Sequence, residues 1–202
     1  MAVTHERFEQ GLTYDGYKAQ MTRNLDRFEE NERTLELAAD DLQFFKHLPQ
    51  TVHVLAISED WCGDAIANLP ILGGLAQASD KLNLRVFLRD ENLDLIDQYL
   101  KDGQHRSIPV FAFFDEDFRP IGHWIERPAS ITAMQNEAMA ELYATAPELA
   151  GVVPGTSPGQ LPEAARNRMM QFFGSFRAQH RAEADAEVVR ELRELVAAGL
   201  SK

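Results

Sequence analysis

The segment from residue 51 to residue 78 constrains the fold more than any other part of the chain. Residues 51–58 contain five apolar side chains, four of them consecutive at 54–57, which is typical of a parallel strand buried on both faces. Residues 66–76 then place apolar side chains at helical spacing. The turn between them contains Cys62, the only cysteine in the 202 residues. The segment therefore predicts a strand, a turn and a helix, with a sulfur atom at the helix N-terminus, where backbone N–H groups favour negative charge.

Strands and helices continue to alternate after this segment. Further strands are predicted at residues 82–88, 108–114 and 119–125. Helical spacing is found at residues 92–100 and 131–142. The last two strands follow each other directly and are expected to form a hairpin. This order predicts an α/β fold with a mixed central sheet that is covered by helices on both faces.

Both ends of the chain are predicted to be helical. Residues 13–30 and 35–45 each place apolar side chains on one helical face. A linker rich in proline and glycine at residues 152–162 precedes a tail that forms one long helix or two helices joined near Gly174. We therefore predict three parts: an N-terminal helical segment (1–50), an α/β domain (51–150) and a linker with a helical tail (151–202).

Charge and hydropathy exclude two classes of partner. The chain carries a formal net charge of −12, and residues 51–162 hold 16 acidic side chains against 7 basic ones. This charge repels a nucleic acid at long range. The longest uncharged stretch, residues 65–79, is too short to span a bilayer. We therefore expect neither a nucleic-acid partner nor a membrane partner.

The cysteine and histidine content bears on location and cofactors. A single cysteine cannot form an internal disulfide, and residues 1–20 show no secretory signal pattern. Both observations favour a cytoplasmic protein. The six histidines show no metal-ligand spacing with one another or with Cys62. The sequence therefore predicts neither a metal site nor a cofactor.

Several features of the middle region coincide with those of a known family. Trp61-Cys62-Gly63 is identical to the start of the motif Trp-Cys-Gly-Pro-Cys, and Pro70 lies eight residues after the cysteine. Ile108-Pro109 opens the third predicted strand, and Gly122 lies in the fourth. By these features residues 50–145 resemble the thioredoxin superfamily.

The resemblance implies a three-layer α/β/α thioredoxin-like fold with helical extensions at both ends. It also implies a cis peptide bond before Pro109, a position for this proline beside Cys62, and a role in cell redox homeostasis. The chain departs from the family motif where Ala65 replaces the second cysteine, Asp64 replaces the proline, and Ala56 replaces the buried acid. A dithiol enzyme needs the second thiol to release its mixed disulfide. The chain is therefore at most a monothiol thiol–disulfide oxidoreductase, and not a thioredoxin that resolves its own adduct.

Cys62 has two interpretations. Helix N-terminal donors favour its thiolate, whereas Glu59, Asp60 and Asp64 disfavour it, so we expect a slow nucleophile. In the first interpretation Cys62 exchanges disulfides with protein or small-molecule thiols, and an external thiol resolves the adduct. In the second, the sulfur is an inert, half-buried group and the domain is a non-catalytic binding module. Iron–sulfur binding of the monothiol glutaredoxin type is disfavoured, because Gly63-Asp64-Ala65 does not match that family's Gly-Phe-Ser.

Three candidate substrate-binding residues could contact a peptide. Trp61 either offers a flat apolar surface to a partner or packs over the start of the helix. Ile108 and Pro109 could present their backbone to an extended peptide if the bond between them is cis.

Two charged candidates accompany them. Asp64 either accepts a proton from Cys62 or complements the helix dipole. Arg89 either binds an anionic group near Cys62 or forms an ion pair with Glu59 or Asp60.

The aromatic residues of the tail also have two interpretations. Phe172, Phe173 and Phe176 lie at helical spacing. They could form the face of a homodimer through the C-terminal helices, or they could pack the tail onto its own domain.

Overall fold

The computed structural model describes residues 3–201, apart from the side chain of Pro158. Within residues 3–201 four strands form one sheet in the order β2-β1-β3-β4. The strands are β1 (Val52–Ser58), β2 (Leu82–Leu88), β3 (Val110–Phe114) and β4 (Pro120–Ile125). β1 pairs in parallel with β2 and antiparallel with β3, and β3 pairs antiparallel with β4. The predicted mixed sheet, with its last two strands in a hairpin, is confirmed.

The helices frame this sheet in chain order. Before β1 they are α1 (His5–Glu9), α2 (Tyr14–Gln20), α3 (Leu25–Arg33) and α4 (Ala39–Lys46). Between strands they are α5 (Gly63–Ala78) and α6 (Leu93–Ile96). After β4 they are α7 (Ala129–Thr145), α8 (Glu163–Gln179) and α9 (Arg181–Leu200), with short 3-10 turns at Pro147–Leu149 and Pro158–Gln160.

The central strand β1 is buried on both faces of the sheet. Val54 and Ala56 belong to one core cluster, and Leu55 and Ile57 belong to the other, all fully buried. Residues of α2, α3, α4, α5 and α9 complete the first cluster, and residues of α1 and α6 complete the second. Because each face of the sheet has its own helical layer, the predicted α/β/α architecture with helical extensions is confirmed.

Contacts divide the chain into two compact units. The first reaches to Arg127 and resumes at Asp185, and the second runs from Pro128 to Ala184. Most of α9 therefore belongs to the same unit as the sheet, and its Leu192 and Val196 are fully buried in the first core cluster. Contact units and independently folding domains are different properties, so domain boundaries near residues 50 and 150 stay a prediction.

The second unit has a small core of its own. This core consists of Leu142, Ala146, Leu149, Leu161 and Ala165. Phe176 is buried, and its ring centroid lies 5.9 Å from that of Phe172. The aromatic face of the tail is therefore packed partly within its own unit, and a homodimer through the C-terminal helices stays a prediction.

Four predicted helical segments have different bounds in the structure. The segment expected to be helical at residues 35–45 becomes helical only at Ala39. The helix expected at residues 13–30 is interrupted between α2 and α3, because Asp60 accepts hydrogen bonds from the backbone N–H groups of Thr22 (2.7 Å) and Arg23 (3.0 Å). The helix expected through residue 100 ends at Ile96. The tail forms two helices that meet at His180, whereas Gly174 lies inside α8, where a glycine costs only about 1 kcal/mol.

Candidate active site around Cys62

The sulfur of Cys62 lies at the end of the turn that connects the central strand β1 to α5. Cys62 is the N-cap residue of α5, and its carbonyl oxygen accepts a hydrogen bond from the N–H of Ile66 at 3.0 Å. The side chain is half-buried, and its thiol donates to the carbonyl oxygen of Ile108 at 3.4 Å. The peptide bond between Ile108 and Pro109 is cis. The structure thus brings together Cys62 and the Ile108-Pro109 backbone, which are far apart in sequence.

A cleft of about 700 Å³ opens beside this sulfur. Five of the predicted site residues line it: Trp61, Cys62, Asp64, Arg89 and Ile108. The cleft is also lined by residues 104–107, Asp97, Leu100 and Glu126. The size of the cleft is in the range of small-molecule sites, and it is open enough to admit an extended segment of chain.

Trp61 and Arg89 form one rim of the cleft. The guanidinium carbon of Arg89 lies 4.6 Å from the centroid of the Trp61 ring, and Trp61 is 41% exposed. The predicted ion pair of Arg89 with Glu59 or Asp60 is wrong, because Arg89 pairs with Asp90 at 2.7 Å. Trp61 therefore keeps an exposed aromatic surface that is backed by a cation.

The two carboxylates that precede Cys62 are bound by backbone N–H groups. Glu59 accepts a hydrogen bond from the N–H of Asp90 at 2.8 Å. Its side chain is buried, and burial raises the pKa of Glu59 above its ordinary value. Asp60 binds the loop between α2 and α3 through Thr22 and Arg23. These donors are neutral, so they stabilise both carboxylates without cancelling their charge.

Asp64, in the first turn of α5, is bound differently. Its carboxylate accepts a hydrogen bond from Arg127, and both side chains are only 14% exposed. Arg127 also donates to Glu126 at 2.9 Å, and Glu126 pairs with Lys101. Burial lowers the pKa of Arg127, but the charges of Asp64, Glu126 and Cys62 raise it by more. Asp64 therefore has a positively charged partner beside the sulfur.

The hairpin of β3 and β4 explains how Arg127 reaches this place. Pro109 directly precedes β3, and residues 126–127 directly follow β4. Because β3 and β4 are antiparallel, residues 126–127 lie beside Pro109. The N–H of Glu126 donates to the carbonyl oxygen of Pro109 at 2.7 Å, and the buried side chain of Asn68 on α5 donates to the carbonyl oxygen of Glu126 at 2.8 Å. Sequence reasoning missed Asn68, Glu126 and Arg127. The predicted hairpin was the signal that could have found the last two.

Two further classes of feature are not found in the described part of the chain. Among residues 3–201, no group of three or more His, Cys, Asp or Glu side chains is placed to hold a metal ion. No helix within the same residues is long and apolar enough to cross a membrane.

Comparisons with known proteins agree with the observed fold. A protein of unknown function from Pseudomonas aeruginosa is 18% identical, with a TM-score of 0.61 over 88% of this chain and 96% of that chain. An HIV epitope scaffold is 20% identical, with a TM-score of 0.58 over 65% of this chain and 81% of that chain. Comparison with curated protein sequences gives no match. A family model described as thioredoxin matches residues 11–141, which include β1, the Cys62 turn and the β3–β4 hairpin, and the chain therefore belongs to the thioredoxin family.

Proposed function

We propose that this protein exchanges disulfides through Cys62 as a monothiol and depends on an external thiol to complete the reaction. The observation that carries the proposal is the position of the sulfur. It is half-buried at the start of α5, it borders the cleft, and it contacts the carbonyl oxygen of Ile108. Membership of the thioredoxin family supports a redox role.

The proposed reaction has two exchange steps. Cys62 first loses its proton to solvent, and the thiolate attacks one sulfur of a disulfide. A bond forms between the two sulfurs, and the other half of the disulfide leaves as a thiolate. An external thiolate then attacks the substrate sulfur of this adduct, which forms a new external disulfide and returns Cys62 as a thiolate. The external thiols supply the electrons.

The cleft offers two kinds of contact for a substrate. The exposed ring of Trp61 provides an apolar surface, and Arg89 lies against it. The backbone of Ile108 borders the cleft, and its carbonyl oxygen is released for an extended substrate once Cys62 loses its proton. These features suit a protein segment or a small peptide thiol, which are the partners that we propose.

Intact-mass measurement tests this function directly. The native protein is incubated with oxidised glutathione, and the Cys62→Ser variant serves as the control. Because Cys62 is the only cysteine, a mass increase of one glutathione reports this sulfur alone. The proposal predicts an adduct that forms in the wild type, is lost on addition of dithiothreitol, and does not form in the control. A native protein that stays unmodified contradicts it.

One observation favours a second candidate, a non-catalytic binding module. The hydrogen bond from Cys62 to Ile108 exists only while the sulfur keeps its proton, so forming the thiolate breaks it. If an adduct forms only after unfolding in urea, the sulfur is inert in the native state and the cleft serves for contacts alone. A cytoplasmic location and the homodimer stay predictions from the sequence.

A further inference from the structure

We propose that Arg127 is a positioning residue for Cys62: it offsets the charge of Asp64, so that the thiolate forms beside an ion pair with no net charge. This inference rests on the proposed function, and it names the group that allows a thiolate to form in an acidic segment. Arg127 acts through Asp64, which lines the cleft itself.

The charges behind the cleft alternate along one chain of contacts. Lys101 pairs with Glu126, Glu126 with Arg127, and Arg127 with Asp64. The two cations and two anions sum to zero. Removal of Arg127 leaves two carboxylates against one cation, and one of these carboxylates is the first-turn residue two positions after Cys62.

The two carboxylates do not occupy every N–H donor of the Arg127 guanidinium. Its Nε atom is buried and has no hydrogen-bond partner among residues 3–201. The backbone beside it is fixed by the bonds from Glu126 to Pro109 and from Asn68 to Glu126. The backbone position of Arg127 and its bond to Glu126 therefore do not depend on Asp64.

Three other basic side chains line the cleft. Arg106 forms a two-bond ion pair with Asp97. Arg89 is paired with Asp90, as described above. His105 also lines the cleft.

Two carboxylates and a phenol lie on the other side of the turn. Glu59 and Asp60 are bound by neutral backbone donors. The hydroxyl group of Tyr17 lies 3.0 Å from that of Ser58, and burial raises the pKa of Tyr17 well above its ordinary value. Tyr17 therefore stays uncharged over the pH range in which thiols ionise.

The test is the pH dependence of Cys62 alkylation by iodoacetamide, measured by intact mass on the full-length protein. Arg127→Met is expected to move the midpoint of the rate profile upward by about one pH unit, which slows alkylation about tenfold below the midpoint. Arg127→Lys keeps the charge and should restore the wild-type midpoint. Asp64→Asn should lower the midpoint, and the double variant Asp64→Asn/Arg127→Met should return it close to the wild-type value.

Arg119→Met is the matched control. It removes the same charge from a 74% exposed arginine in the turn between β3 and β4, and it should leave the midpoint unchanged. The inference is overturned if folded Arg127→Met keeps the wild-type midpoint. If that variant does not fold, an unchanged midpoint in Asp64→Asn overturns it equally. Alkylation needs no disulfide exchange. If the midpoints shift as expected but no glutathione adduct forms, the role of Arg127 stands and only the proposed function is rejected.

Discussion

The carboxylates before Cys62 and the carboxylate after it are stabilised by different means. Glu59 and Asp60 accept hydrogen bonds from backbone N–H groups, which leave their charges in place. Asp64 pairs with a half-buried arginine from the end of the β3–β4 hairpin, and that arginine cancels its charge. The number of acidic residues next to a cysteine in the sequence therefore does not give the field at its sulfur. The field depends on which acids the fold provides with a cation.

The largest expected effect on stability follows from removing this cation. Arg127→Met removes the cation that offsets the charge of Asp64, whose side chain is only 14% exposed, and we expect the free energy of unfolding to fall by about 3 kcal/mol. The double variant Asp64→Asn/Arg127→Met should recover most of this loss, because both charges are gone. Urea denaturation of the wild type, Arg127→Met, Asp64→Asn and the double variant measures the coupling. Additive losses in the double variant would show that the pair is not coupled.

A smaller effect on stability is expected from Asp60, which precedes the cysteine. Asp60→Ala removes three hydrogen bonds, to the N–H and hydroxyl groups of Thr22 and to the N–H of Arg23. We expect the free energy of unfolding to fall by about 2 kcal/mol. Glu116→Ala, in an exposed turn, is the control and should change little. If Asp60→Ala cost as much as Arg127→Met, the contrast between the two sides of the turn would not hold.

The smallest effect concerns Glu59 and pH. Burial raises the pKa of Glu59 in the folded state above its ordinary value of 4.5, so the folded state binds the proton more tightly than the unfolded state. Its contribution to stability is therefore present below pH 4.5 and is lost as the pH rises through the folded-state pKa.

The measurement compares wild type with Glu59→Gln, which cannot ionise. Urea denaturation at about pH 4 and pH 7 should show the wild type losing stability relative to Glu59→Gln at the higher pH. The exposed Glu91→Gln is the matched control and should show no such trend. A wild type that gains stability relative to Glu59→Gln as the pH rises would show that the hydrogen bond from Asp90 outweighs burial.

The fold could be predicted from the sequence where the local signal and the tertiary packing agree. β2 and the end of α5 lie where the apolar pattern placed them. The break between α2 and α3 was missed because Asp60, a carboxylate 37 residues or more away in the sequence, binds the intervening backbone. The tail was predicted as one long helix or two helices joined near Gly174; it forms two helices, but Gly174 lies inside α8, where a glycine costs only about 1 kcal/mol.

The candidate site could be predicted only in part, for a related reason. The resemblance placed Cys62 beside the Ile108-Pro109 backbone, and the structure has this contact. The partner of Asp64 was missed because Arg127 is 63 residues away in the chain. A local sequence pattern does not show such a pairing, which depends on the register of the hairpin and on the hydrogen bond from Asn68.

The most direct test of the account is the rate at which the native protein forms a mixed disulfide with oxidised glutathione at pH 7. The account predicts similar rates for the wild type, Arg127→Lys and Arg119→Met, and a rate about tenfold lower for Arg127→Met. Equal rates in folded Arg127→Met and wild type, or no adduct in any native variant, would contradict it.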